Sequence, residues 1–427
     1  MSLKRGAFEA ALEIGRPPNI KSLFPNSKAL IVSGKYIDRA MRTKSGSMAV
    51  AVNGRSYFII RGALLAANAT DSALIIEIAR SEGGADAYCA VNFWNIARIV
   101  DALCNQFNIR IPVAIHADHY GIKHMNQFQA ASIEIPTLFD AGISSIAIDA
   151  SHMPDDENLL MNILLHPFIP DWAGFETEIG EIKGKTGLST VQEAKFLICG
   201  LNAHDIFPDW IALNNGTTHG IEKGSEGIQV DLTAKIHSAL APFKVSGAQH
   251  GTSGNSSERL RKIAMNTSTT KANLATALQY ISWGSKVDDY GNCVMGSDGE
   301  FVKLPGCGMT DKLWKEMFDY AWEHKFKIGD MKKLCRPFEN KLLGQSEEIQ
   351  KRMTTGITDF LSPFMKDVCN SSGTGSLVIE RILETGSYDL GPKIGRTEDP
   401  AEWTEEKIAE RIKEIDQNKG KEGDFSE

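Results

Sequence analysis

Ile111-Pro-Val-Ala-Ile-His116-Ala-Asp118-His119 is an apolar run that ends in three side chains able to move protons or bind cations. The amphipathic stretch Lys123–Ala141 follows it, and Ser144–Ser151 is again strand-like. A strand, a crossover helix and a second strand make a parallel βαβ unit. The pattern extends in both directions. Strand-like segments stand at Met48–Asn53, Ser72–Ala79, Ile111–His119, Ser144–Ser151, Phe175–Ile182, Trp210–His219, Phe243–His250 and Lys271–Thr276, with helix-like stretches such as Asn92–Asn108 and Asp231–Ala241 between them. Eight such repeats predict an α/β chain folded as a (β/α)8 TIM barrel, whose active site lies at the C-terminal ends of its strands.

One barrel occupies about 250 residues, so the 427-residue chain carries extensions. The expected division is an N-terminal extension over 1–45, a catalytic barrel over 46–285 and a helical C-terminal extension over 286–427. Roughly the last 15 residues are polar enough to stay disordered. The formal net charge of -8 speaks against nucleic acid or an anionic membrane as partner. Seven cysteines without a CxxC pair give neither a disulfide framework nor a cysteine zinc site. No segment is long and uncharged enough to span a bilayer, and Met1–Pro18 does not resemble a secretory signal. The expected setting is the cytoplasm.

Three histidines close strand-like runs: His119, His219 in Thr217-Thr218-His219-Gly220, and His250 in Ala248-Gln249-His250-Gly251. Three imidazoles on three strand ends suit one zinc ion with a fourth position open to substrate. Alternation puts His116 and Asp118 on one side of their strand, so an acid is delivered beside the metal. The remaining histidines, His124, His152, His166, His204, His237 and His324, lack this placement and are expected at the surface or behind the site. Glycine-rich turns follow two of the ligands: Gly220 with Lys223, and Gly251-Thr252-Ser253-Gly254 ahead of a helix. Together with Asn273, Ala275 and Thr276 of the eighth strand they can cradle a phosphate, as loops seven and eight of such barrels often do.

These elements resemble the class II, zinc-dependent fructose-bisphosphate aldolase family over roughly Ala49 to Gln279. His116-Ala-Asp118-His119 is similar to the family's His-x-Asp-His, and Ile148-Asp149-Ala-Ser151-His152 to its Ile-Asp-x-Ser-His. Glu176-Thr-Glu178-Ile-Gly180 is similar to its Glu-x-Glu-Leu-Gly. The resemblance implies zinc on His119, His219 and His250, with Asp149 and Glu178 behind the ligands or at an alternative position for a second divalent or a monovalent cation. It implies Asp118 as the acid/base and Asn53, Gly220, Lys223, Gly251, Ser253, Asn273, Ala275 and Thr276 as the substrate and phosphate set. The implied reaction is reversible cleavage of a ketose bisphosphate, foremost fructose 1,6-bisphosphate, to dihydroxyacetone phosphate and glyceraldehyde 3-phosphate, with zinc polarising the ketose carbonyl. The implied assembly is a homodimer or homotetramer.

Three positions depart from the family pattern. Thr252 stands where glycine is common, and Glu222 where an aromatic residue often precedes the phosphate-binding lysine. The family's loop glutamate, which removes the carbon-bound proton, has no clear counterpart: Glu181 sits close to the strand and Glu193 belongs to the next helix. Alternatives are an aldolase for tagatose bisphosphate or another ketose phosphate, and a non-catalytic aldolase-like subunit that binds metal and sugar phosphate. A zinc hydrolase needs a His-x-His pair on the first strand, which Ala49-Val-Ala-Val-Asn53 lacks.

Overall fold

A computed structural model describes residues 6–85, 87–180, 187–216, 227–253, 255–288, 291–297, 300–413 and 415. Eight strands, β1 (Ala49–Asn53), β2 (Leu74–Ala79), β3 (Val113–Gly121), β4 (Ser145–Asp149), β5 (Gly174–Ile179), β6 (Trp210–Leu213), β7 (Ser246–Gln249) and β8 (Thr269–Leu274), close into a barrel in chain order. Every neighbouring pair is parallel, and β1 pairs with β8. Both faces of β1 and β2 are buried, which is why these segments read as near-continuous apolar runs.

Alternation sorts the side chains into two populations. Val50, Val52, Ile76, Ile78, Ile115, Ile146, Ile148 and Leu213 join the helices in the outer core. Ala49, Ala51, Ile75, Ala114, Trp210, Ala212 and Ala248 belong to a second core that fills the lower barrel and continues into the N-terminal helices. Helices begin at polar caps: Ser56 accepts from the Ile59 amide ahead of Tyr57–Thr70, and Thr190 and Glu193 cap each other's backbone ahead of Val191–Ala203.

The helix Gly34–Thr43 closes the N-terminal end. Its first residue lies so near β5 that a Cβ on Gly174 would stand 2.9 Å from the Gly34 Cα and 2.6 Å from the Ser145 Oγ. Ser145 in turn meets the Nδ1 of His116 at 2.8 Å, so this packing bears on the layer beneath the strand ends. Replacing Gly174 with alanine overfills the contact and should destabilise the protein by about 1–3 kcal/mol, read as a lower melting temperature.

The extensions pack on the barrel itself. Helix Glu347–Pro363 lies against Tyr57–Thr70, and helix Thr374–Thr385 against Ala7–Gly15 and Gly34–Thr43. Farther along, Lys393 donates to the Asp38 carboxylate at 2.8 Å and to the Asp209 carbonyl at 2.6 Å, while Arg39 donates to the Gly391 carbonyl at 3.1 Å. The C-terminal region is not helical throughout. Antiparallel bridges Ser285–Lys303, Val287–Cys293 and Met295–Phe301 precede the helix Asp311–Glu323, because short alternating runs turn back at glycines such as Gly291, at φ +78°. The disorder expected for the terminus falls on 416–427, outside the described residues. Among the described residues no helix is long and apolar enough to cross a membrane.

Candidate metal centre and active site

Asp118 and His119 are neighbours on a strand, and strict alternation would send them to opposite faces. On β3, Ala117 lies opposite Ile146 of β4 and Tyr120 opposite Ile148, so three steps on one strand match two on the other. The extra residue is a β-bulge, which re-aims side chains. His119 takes up the turn with φ at +42°, a left-handed conformation uncommon outside glycine. As a result the acid and the imidazole both reach the barrel's C-terminal mouth.

There the His119 Nε2 stands 2.7 Å from the Nδ1 of His250. The other nitrogen of each ring is engaged by a carboxylate: the Nδ1 of His119 lies 3.0 Å from Glu178 and 3.6 Å from Asp149, and the Nε2 of His250 lies 3.0 Å from Glu176. Carboxylates on the outer nitrogens orient both rings and turn the other two nitrogens toward each other, the arrangement by which two histidines would share a metal ion. Asp118, His119 and His250 place ligand-type atoms within 4.8 Å of one another, as do His119, Asp149 and Glu178. Electrostatics agree. Burial opposes a charged His119, yet Glu178 and Asp118 outweigh it and push the ring above the usual histidine range. The same carboxylates would also attract a divalent cation, and two imidazoles with Asp118 within 4.8 Å of one another are a donor set that fits a metal such as zinc.

Beneath the two rings sits a fully buried lysine. The Lys271 Nζ lies 2.8 Å from Glu176, 3.2 Å from Asp118 and 3.3 Å from Glu77. Burial would raise the carboxylates, but Lys271 overrides it, holding Asp118 well below the usual range and Glu176 at about 2. Glu77 goes the other way: burial and the Asp118 charge push it well above the ordinary value. His116 is pushed down to about 3 by burial and by Lys271, so it is neutral where it meets Ser145. Asn273 donates from its Nδ2 to both Asp118 oxygens, at 3.1 and 3.2 Å.

Among the remaining expected residues, Asn53 ends β1 and donates to Glu82, which forms a buried ion pair with Arg55. Gly251 follows β7 at φ +60°, and the Thr252 hydroxyl donates to the Asn273 carbonyl. Ser253 Oγ, Asn53 Oδ1 and Asn273 Oδ1 are buried without a hydrogen-bond partner among the described residues, so each can still take up a polar group. Ala275 and Thr276 are not on the eighth strand as expected: β8 ends at Leu274, Ala275 turns the chain and Thr276 opens the helix Thr276–Trp283. The sixth strand likewise stops at Leu213 rather than His219. His219, Gly220, Lys223 and Glu181 lie outside the described residues.

His237 is neither at the surface nor behind the site. It is buried in helix Val230–Leu240, where its Nδ1 accepts from the Ser268 amide at 3.1 Å. Burial pushes it down to about 4. An unfolded histidine protonates near 6.5, so between about pH 6.5 and 4 the unfolded chain binds a proton that the folded chain refuses. Stability should fall over that window by about 3 kcal/mol from this group. His237→Gln should flatten that part of the stability–pH curve, measured by denaturant melts from pH 7 to 4.

A closed parallel barrel with imidazoles and carboxylates converging at its C-terminal mouth is the architecture of a barrel enzyme, with donors there that could hold a metal ion. A family model described as fructose-bisphosphate aldolase class-II matches residues 34–339. The fructose-bisphosphate aldolase of Ureaplasma parvum serovar 3 is 29% identical over 269 residues, 61% of this chain and 84% of that one. That of Streptococcus pneumoniae serotype 4 is 25% identical over 285 residues, 64% and 88% of the two chains. A 6-phospho-5-dehydro-2-deoxy-D-gluconate aldolase of Shouchella clausii is 28% identical over 201 residues, 45% and 61%. In fold, the crystal structure of the YdjI aldolase from Escherichia coli K12 superposes with a TM-score of 0.53 at 14% identity, covering 81% of this chain and 99% of that one. The chain belongs to the class II fructose-bisphosphate aldolase family, and is thus an aldehyde-lyase of a metal-dependent kind.

Proposed function

We propose that the chain reversibly cleaves fructose 1,6-bisphosphate to dihydroxyacetone phosphate and glyceraldehyde 3-phosphate. The observation that carries the reading is the facing pair of His119 and His250 with Asp118 beside them, each held from behind by a carboxylate or a cation. His119 through Nε2, His250 through Nδ1 and His219 would hold zinc. Bound there, the ion supplies Lewis acidity toward the ketose carbonyl. Asp118, gripped by Asn273 and Lys271, takes the hydroxyl proton of the departing aldehyde as the carbon–carbon bond breaks and releases it to solvent, while the carbon left on the dihydroxyacetone phosphate half takes up one proton; the reverse direction runs both transfers backward. Asn53, Ser253 and Asn273 offer their unpartnered oxygens to the sugar phosphate, and Gly220, Lys223, Gly251, Ala275 and Thr276 complete the phosphate pocket. Asp149 and Glu178 orient His119 or take a second cation. The working form is a cytoplasmic homodimer or homotetramer, to be read by sedimentation.

A second reading, a different ketose phosphate, is favoured by the Shouchella clausii relative named for another sugar acid phosphate. Parallel coupled assays on fructose 1,6-bisphosphate, tagatose 1,6-bisphosphate and 6-phospho-5-dehydro-2-deoxy-D-gluconate separate them. Fructose 1,6-bisphosphate should give the highest kcat/KM; a higher value for either of the others would replace the first reading.

A further inference from the structure

We infer that Lys271 is a positioning residue that sets the catalytic carboxylate and a metal-binding imidazole at once. The inference rests on the metal-site reading of His119 and His250. Lys271 is wholly buried, and a lysine ammonium has three hydrogens to give. Three carboxylates surround it: Glu176 at 2.8 Å, Asp118 at 3.2 Å and Glu77 at 3.3 Å. Two of them are used from both ends. Asp118 turns Oδ1 to the ammonium and Oδ2 toward the His119 Nε2, at 3.7 Å; Glu176 turns Oε2 to the ammonium and Oε1 to the His250 Nε2, at 3.0 Å. The cation therefore holds the rear oxygen of each carboxylate while the front oxygen serves the site.

A second consequence concerns where a metal goes. Glu77, His116 and Asp118 also bring ligand-type atoms within 4.8 Å of one another. The Lys271 ammonium lies against two of those three residues, so a built-in cation meets the negative charge in the barrel's middle layer. An exogenous cation is then left to the histidine pair above. Without the ammonium, Asp118 and Glu176 lose their common anchor and the ring of His250 loses its fixed tautomer, which weakens metal binding as well as turnover.

The test is Lys271→Met, which keeps the length of the side chain and removes its donors. Lys271→Met with Glu77→Gln serves as the partner variant, withdrawing one buried carboxylate together with the cation so that the fold survives. Zinc affinity of the metal-free full-length proteins, measured by chelator competition, should weaken by about 10–100-fold, as it should in Glu176→Gln. In the metal-saturated variants, kcat toward fructose 1,6-bisphosphate should fall by about 100-fold, with KM within about threefold. A folded variant with wild-type zinc affinity overturns the inference, whatever its activity. If the wild-type protein cleaves no ketose bisphosphate, the proposed function falls while the zinc competition still decides the role of Lys271.

Discussion

Asparagine at position 118 will lower kcat for ketose bisphosphate cleavage by about 10²–10⁴-fold, the range for loss of a positioned acid/base. The substitution preserves shape and leaves one oxygen for Lys271, whose Nζ lies 3.2 Å from the Asp118 Oδ1. It removes the only feature the chemistry needs, a carboxylate that can take and return a proton. Because His119 and His250 keep their own partners in Glu178 and Glu176, the variant should still bind metal at the wild-type stoichiometry. Metal analysis beside a coupled assay separates the two effects. Wild-type turnover in folded, metal-loaded Asp118→Asn would remove Asp118 from the mechanism.

The second large effect is at His250. Its Nδ1 faces His119 at 2.7 Å and its Nε2 meets Glu176 at 3.0 Å, so alanine deletes a ligand and strands a buried carboxylate on Lys271. Turnover should vanish into background, and added zinc should not restore it at concentrations that saturate the wild-type protein. Glu176→Gln is the graded counterpart: the imidazole remains, its orienting charge is gone, and zinc affinity should drop by about 10–100-fold while saturating zinc recovers activity. Equal zinc affinity in the wild-type and His250→Ala proteins would move the metal to another set of residues.

The barrel was legible because parallel strands buried on both faces announce themselves as apolar runs, and eight of them alternate with amphipathic stretches. Where such runs stop is less visible. Trp210 to His219 reads as one strand, yet β6 ends at Leu213, because Asn214 and Asn215 leave the ladder to bond Gly187, Thr233 and Gln249 with their side chains. The bridged segment from Ser285 to Lys303 escaped for the opposite reason: its alternating runs are too short to outweigh the helical pattern on either side.

Site residues divide along the same line. Asp118, His119 and His250 could be found because polar side chains cluster where strands end. Lys271, Glu77 and Glu176 carry no such mark as a group. Lys271 and Glu77 are each the one charged residue of their strand, Glu176 shares β5 with Glu178, and only barrel closure, which pairs β1 with β8, brings the three into one cluster. A signal was present in Thr269-Thr-Lys271-Ala-Asn273-Leu, where the i, i+2 spacing puts Lys271 and Asn273 on one face. The bulge that turns both Asp118 and His119 inward left no sequence mark, since nothing about Ala117-Asp-His-Tyr120 demands a positive φ at His119.

The most direct measurement is turnover of fructose 1,6-bisphosphate by purified protein, taken as isolated, after exhaustive chelation, and again after stoichiometric zinc. The account predicts cleavage to triose phosphates that disappears on chelation and returns with zinc. Cleavage that persists in protein verified to be metal-free would contradict it.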